Sequence, residues 1–119
     1  MDKERYFGFA KDAELQDDER QAMWQQQREE RGFDNTELWS LHTTIAQFIL
    51  PRLKAFKGST DFYPCCFTRI EQWNYVLQKM IDGFELIIQD DCFPLNSSEN
   101  RKMNRALDLF RKYYFCLWN

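Results

Sequence analysis

The stretch that decides the fold runs from Ile70 to Asp90 and reads IEQWNYVLQKMIDGFELIIQD. Its apolar residues recur at intervals of 3, 4, 3, 4 and 3, at Ile70, Trp73, Leu77, Met80, Phe84 and Ile87. This spacing places them on one helical face, which Val76, Ile81 and Ile88 widen beyond a two-stranded seam. The pattern predicts a helix over about residues 69–90 in the middle of a bundle. Gly83 within it predicts a close approach of a neighbouring element.

The preceding apolar segment predicts a second helix, over about residues 35–57. Asp34 as N-cap and Glu37 three residues later have the spacing of a capping box at its start. The helix is expected to bury an apolar stripe whose phase continues through Pro51, so that one kinked helix is predicted rather than two. That stripe comprises Leu38, Leu41, Ile45, Phe48, Ile49, Leu53 and Phe56.

Two further helices complete the predicted architecture. The helix predicted over about residues 12–31 is polar, with Gly32 placed for a left-handed C-terminal cap. The helix predicted over about residues 98–118 has an apolar face made of Met103, Ala106, Leu107, Phe110, Tyr113, Tyr114 and Leu117. Its last turn is apolar all round, so it is expected to be buried in the bundle or against another chain. We therefore predict an all-α fold: an antiparallel bundle of three core helices plus a more polar N-terminal helix. Residues 1–119 form one domain, and residues 1–32 are a candidate for a loosely packed N-terminal arm.

Charge and hydropathy narrow the classes of partner. The net charge is −3, which argues against nucleic acid as a partner, because nucleic-acid binders need a basic footprint. The distribution is uneven, since residues 1–34 hold ten acids and six bases whereas residues 100–119 hold five bases and one acid. No apolar run approaches the roughly 18 residues that span a bilayer, and the charged start is unlike a signal peptide. A cytoplasmic protein without a membrane partner is expected.

Residues that could carry out chemistry are sparse. The four cysteines, Cys65, Cys66, Cys92 and Cys116, have no metal-chelating spacing and are expected to be reduced. The single histidine, His42, has no nucleophile or base at helical reach, so a packed or hydrogen-bonded role is favoured over catalysis. Phosphate-binding glycine motifs and the nucleophile elbow do not occur in the sequence. We therefore predict neither enzymatic activity nor a catalytic residue, metal or cofactor.

Aromatic residues make up 17% of the chain, a high share that core packing explains in part. Several of them fall beside or opposite the main stripes of their helices, and Trp and Tyr in such places are frequent anchors of protein interfaces. Together with two basic residues of the second helix, they form the predicted interaction set: Trp24, Trp39, Arg52, Lys54, Tyr75, Phe115 and Trp118.

One continuous stretch resembles a known family. Residues 31–57 read RGFDNTELWSLHTTIAQFILPRLKAFK, which is similar to the RGFSDxDLW and IAxFILPRLKxFK patterns of a family of small helical proteins from bacteriophages and prophages. The resemblance extends to residues 70–88 and to residues 107–114 with the final Leu-Trp, about two thirds of the chain from Arg31 onward. His42 departs from it, because the family pattern has an acid there. The family carries no assigned activity; the resemblance implies a phage protein in the cytoplasm of an infected bacterium.

These observations favour a non-enzymatic phage protein that binds a host or phage protein, for example to inhibit a bacterial defence system. Two alternatives stay open. One is a helical protein that binds a small ligand such as a nucleotide signal, with Arg52, Lys54, Arg101 and Arg105 as candidate phosphate contacts. The other is a component of the virion or of its assembly. The apolar last turn also makes a homodimer plausible.

Overall fold

The computed structural model describes residues 15–90 and 96–119, and it confirms the all-α helical bundle. Within those residues there is no strand, and the helices are α1 (Asp17–Arg31), α2 (Thr36–Trp39), α3 (Leu41–Ser59), α4 (Ile70–Asp90) and α5 (Ser97–Tyr113). A single 3-10 turn, Tyr114–Cys116, follows α5. The chain divides into two compact units, one up to Leu41 and one from His42 onward.

Helix α1 of the first unit is the polar helix that the sequence predicted. It begins at Asp17, later than predicted, while residues 12–14 lie outside the described residues. None of its residues is buried. Gly32 ends the helix in the left-handed conformation with φ 85°, and its N–H donates to the Arg28 carbonyl at 2.9 Å. This is the predicted glycine cap, which a residue with a Cβ could adopt only with strain.

Asp34 organises the turn between α1 and α2. Its carboxylate accepts from the Thr36 N–H at 2.9 Å, from the Thr36 hydroxyl and from the Arg28 guanidinium. In return the Asp34 N–H donates to the Glu37 carboxylate at 2.8 Å, which is one of the two contacts of the predicted capping box. The other differs, because the Asp34 carboxylate bonds Thr36, the Glu37 N–H donates to the Asp34 backbone carbonyl at 3.2 Å, and Asn35 rather than Asp34 precedes the helix. Burial raises the pKa of Asp34, but the hydrogen bonds from Thr36 and Arg28 outweigh it, so the pKa lies below its usual value.

The lowered pKa of Asp34 makes the first unit sensitive to acid. A carboxylate with a depressed folded pKa contributes stability above its unfolded pKa, about 3.9, and loses it as the pH falls toward the folded pKa. We expect the α1–α2 turn to weaken below about pH 4. Asp34→Asn should weaken it by roughly 1 kcal/mol at pH 7, because Arg28 loses its charged acceptor, and should remove the acid step. The measurement is the near-ultraviolet circular dichroism of the Trp24–Trp39 pair, obtained by subtracting the spectrum of Trp39→Ala. Equal acid transitions in wild type and in Asp34→Asn would contradict the assignment of the acid step to Asp34.

The predicted helix over residues 35–57 is wrong at one point, because Ser40 interrupts it. With φ −129° and ψ 70°, Ser40 separates α2 from α3. Serine competes with helical bonding through its own hydroxyl, which makes it a weak residue in a helix interior. The continuity through Pro51 is confirmed, since α3 runs without a break from Leu41 to Ser59.

The core of the second unit forms along α4. Trp73, Leu77, Met80 and Phe84 are all buried, as their spacing predicted. Helix α5 packs antiparallel on α4, because Trp73 meets Tyr113 near one end while Gly83 meets Ala106 further along. The predicted close approach at Gly83 is confirmed: a Cβ placed there would lie 2.1 Å from the Cβ of Ala106.

The inward face of α5 differs from the predicted one. Leu107 is exposed, and Leu109, which was not predicted to be in the core, is buried together with Ala106. The regular helix also ends at Tyr113 rather than at residue 118, and the 3-10 turn continues it to Cys116. The apolar last turn is buried only in part: Tyr113, Cys116 and Leu117 pack against the core, whereas Phe115 is 87% exposed and Trp118 66%.

At the start of α4 the side-chain oxygen of Gln72 accepts from the N–H groups of Thr68 at 2.8 Å and Arg69 at 3.2 Å. Among the residues described, Cys65, Cys66 and Cys116 are free thiols, and Cys92 lies outside them. None of the helices described is long and apolar enough to cross a membrane.

Candidate interaction site

Helix α3 carries an apolar face that stays exposed among the residues that the structure describes. The sequence predicted Leu41, Ile45 and Phe48 as core residues, and this prediction is wrong. Phe48 is 59% exposed and Ile45 47%, whereas Ala46 and Leu53 provide the buried face of the helix. The apolar residues of α3 thus occupy two faces, and only one of them packs into the bundle.

The exposed face of α3 forms one wall of an apolar groove, which has a cavity volume of about 790 Å³. The other wall comes from the end of α5 and the residues after it. Its lining residues are Thr44, Ile45, Phe48, Ile49, Arg52, Leu53 and Phe56 from α3, with Phe110, Tyr114 and Leu117 opposite. From Thr44 to Phe56 the groove follows about three helical turns, or roughly 18 Å.

Arg52 is the one charged side chain among the residues that line the apolar groove. Its guanidinium lies 3.7 Å from the centroid of the Phe48 ring, and one of its nitrogens donates to the Phe48 carbonyl at 2.8 Å. These contacts fix the guanidinium on an aromatic face, which is an arrangement typical of binding surfaces. Within the described residues this is the one hydrogen bond that the guanidinium donates, so most of its five N–H donors are available to an acceptor on a partner.

The predicted interaction residues divide between the two units. Trp24 and Trp39 belong to the first unit, where their rings meet edge to face with centroids 5.8 Å apart. Arg52 lines the apolar groove, and Phe115 stands next to it with its ring 5.3 Å from that of Tyr114. Trp118 is exposed at the end of the chain.

The remaining two, Lys54 and Tyr75, have other surroundings. The Lys54 ammonium pairs with the Glu85 carboxylate at 2.9 Å and so ties α3 to α4. Tyr75 lines a second groove, which α4 and α5 form on their outer side and which has a cavity volume of about 670 Å³. We name it the basic groove after its cations, and its main residues are Tyr75, Lys79, Arg101, Lys102, Arg105 and Leu109.

Sequence reasoning missed the groove residues Ile45, Phe48 and Phe110 as candidates because each fits a core stripe. The signal that could have revealed them is the width of the apolar pattern in α3. Ile45, Ala46, Phe48, Ile49 and Leu53 span more of the helix circumference than one neighbouring helix can cover. A helix of this kind in a small bundle leaves an apolar strip without a partner.

No group of side chains in residues 15–90 and 96–119 has the arrangement of a metal site. His42 is exposed, and its Nε2 lies 3.4 Å from the Thr43 hydroxyl, at the long limit of a hydrogen bond. The candidate binding surfaces are the two grooves described above, one apolar with a single cation and one with four cations.

No protein-family model, curated protein sequence or solved structure matches the chain. The resemblance to phage and prophage proteins therefore stays a prediction.

Proposed function

We propose that this protein acts without catalysis, by binding a partner protein in the apolar groove of α3. The observation that supports this most is the exposure of Phe48 and Ile45 along a groove of three helical turns. Large apolar side chains grouped on the surface of a small protein mark an interaction site more often than an ordinary surface. The predicted absence of enzymatic activity belongs to the same proposal.

The partner that fits the groove is an amphipathic helix with large apolar side chains on one face. Such a helix places residues i, i+3, i+4 and i+7 in an open apolar channel, which is a recurrent mode of peptide recognition. Arg52 adds a charge requirement, since its guanidinium lies at the groove and would pair with a carboxylate of the partner helix. An acidic amphipathic helix is therefore the proposed ligand.

The phage-like sequence pattern suggests where that partner is found. We place the protein in the cytoplasm of an infected bacterium, with a host or phage protein as its partner and inhibition of a bacterial defence system as the proposed consequence. Neither a membrane nor a nucleic acid is required.

The decisive variant is Phe48→Asp, which puts a charge in the groove. Phe62→Asp is the matched control, because Phe62 is 62% exposed but does not line the groove. A partner captured from infected cells, identified and purified, is titrated against each protein by calorimetry. We expect Phe48→Asp to lose at least about 2 kcal/mol of binding free energy, or roughly 30-fold in affinity. Phe62→Asp should bind like wild type.

Two results would argue against this proposal. One is a partner whose affinity Phe48→Asp and Phe62→Asp change equally, because the groove would then have no special role. The other is a wild-type dimer that Phe48→Asp converts to a monomer in light-scattering measurements, because a second copy of the chain would then occupy the groove.

A further inference from the structure

The basic groove between α4 and α5 combines cations with an exposed aromatic ring. Tyr75 is 61% exposed, and the Lys79 ammonium lies 5.2 Å from the centroid of its ring. Arg101, Lys102 and Arg105 contribute three more cations from the facing helix. Within the part of the chain that the structure describes, none of these three forms an ion pair.

The floor of the basic groove is apolar. Val76 and Leu109 lie beneath the charged side chains and are both buried. An apolar base with a few polar groups at its edge is the usual make-up of a small-molecule site, and a cavity of about 670 Å³ is within the usual size range.

The two carboxylates of the groove are partly satisfied by neighbours. Asp82 accepts from the Gln78 side-chain nitrogen at 2.7 Å, and Glu85 pairs with Lys54 at 2.9 Å. The cations outnumber these carboxylates, so the groove favours an anionic ligand over a cationic one.

The antiparallel register spaces the aromatic ring and the cations along a line. With Trp73 beside Tyr113 and Gly83 beside Ala106, Arg105 comes level with Phe84, about 14 Å along the axis from Tyr75. Lys79 lies between them, and Arg101 lies about 6 Å beyond Arg105. The order is therefore an aromatic ring, then one cation, then a cluster of cations.

We infer that the basic groove binds a nucleoside polyphosphate, with the base on Tyr75 and the phosphates along Lys79, Arg105 and Arg101. An exposed tyrosine ring provides a stacking surface for any base. An arginine guanidinium can donate two parallel hydrogen bonds to the oxygens of one phosphate. This site is separate from the apolar groove, so its occupation and the capture of a partner protein can be tested independently.

The test uses a fluorescent ATP analogue as the probe, with anisotropy measured at 0.15 M salt on the whole protein. Tyr75→Ala should weaken binding about tenfold or more because it removes base stacking. Arg101→Gln combined with Arg105→Gln should weaken both the analogue and inorganic triphosphate by at least about tenfold. Asp82→Asn should strengthen binding severalfold, because it removes a negative charge and keeps the oxygen that Gln78 bonds.

Arg111→Gln combined with Lys112→Gln is the matched control, since it removes two cations from the same helix outside the groove. It should change affinity by less than twofold, and melting curves should show every variant folded. The inference is overturned if the ATP analogue does not bind. It is also overturned if the groove double variant and the control double variant weaken binding of the analogue equally. Inorganic triphosphate that binds as tightly as the analogue would overturn the role of Tyr75. A single-stranded oligonucleotide that binds more tightly than the analogue would assign the groove to nucleic acid instead.

Discussion

Replacing Gly83 by leucine is expected to abolish cooperative folding of the second unit, and replacing it by alanine to destabilise it by roughly 2–3 kcal/mol. At this position α4 and α5 approach so closely that an added Cβ would lie 2.1 Å from the Ala106 Cβ and 2.9 Å from the Lys102 carbonyl oxygen. The oxygen belongs to the backbone, so rotation of a side chain cannot relieve the contact and the helices must move apart. The measurement is urea unfolding followed by far-ultraviolet circular dichroism.

Gly58 supplies the matched control for this prediction. It also lies in a helix, near the end of α3, but a Cβ added there would have nothing within 4 Å. Gly58→Ala should therefore stabilise the protein by about 0.5–1 kcal/mol, the usual gain in helix propensity. If Gly83→Ala were equally stabilising, the close approach of α4 and α5 would be wrong.

A second substitution identifies the contact responsible. Ala106→Gly removes the Cβ nearest to the one that Gly83→Ala adds, although it costs about 1 kcal/mol of helix propensity in an otherwise wild-type protein. In the Gly83→Ala background it should cost much less, with a coupling free energy of at least about 1 kcal/mol. Strict additivity would show that Ala106 is not the limiting contact.

Helix α4 could be predicted closely because it lies between neighbours on more than one side. A helix with neighbours on several sides needs an apolar face that continues over its whole length. The spacing of the apolar residues from Ile70 to Ile87 indicates such a face. Gly83 was informative for the same reason, since a glycine in a helix costs stability unless its missing side chain is used.

Helix α3 was predicted less well because periodicity shows which face is apolar, not whether another element covers it. Ile45 and Phe48 fit the spacing of core residues as well as Leu53 does, yet only Leu53 is buried. The break at Ser40 was also missed, because the apolar phase carries on across it. In α5 the predicted buried face was rotated about the helix axis relative to the observed one. Leu107 and Leu109 both neighbour Ala106 and Phe110 on the helix, so the apolar pattern fits either leucine as the buried one.

The two grooves could be predicted only in part. Arg101 and Arg105 are four residues apart, so the sequence already placed them on one face of α5. Their meeting with Tyr75 and Lys79 depends on the register between α4 and α5, which no periodicity provides. Likewise, Arg52 was predicted from its type and position, whereas its stacking on Phe48 follows from the helix geometry.

Replacing Trp73 by alanine is the other substitution with a large expected effect, a loss of about 3–5 kcal/mol in the free energy of unfolding. Trp73 is only 1% exposed, and its ring centroid lies 5.6 Å from that of Tyr113 and 6.0 Å from that of Phe67. The cavity that remains could not be filled by these two neighbours, because they pack against each other with centroids 5.6 Å apart. A loss of this size is a large part of the stability of a small domain.

Trp118→Ala is the matched control, since Trp118 is 66% exposed and should change stability by no more than about 0.5 kcal/mol. Urea unfolding of the two variants separates a buried from an exposed tryptophan, and near-equal losses of unfolding free energy would contradict the core described for α4.

A double-mutant cycle of Tyr113→Leu and Trp73→Leu, with each single variant and the double variant, then measures the edge-to-face pair of the two rings. Its coupling should be about 0.5–1.5 kcal/mol, the part of the stabilisation that depends on ring geometry rather than on buried area.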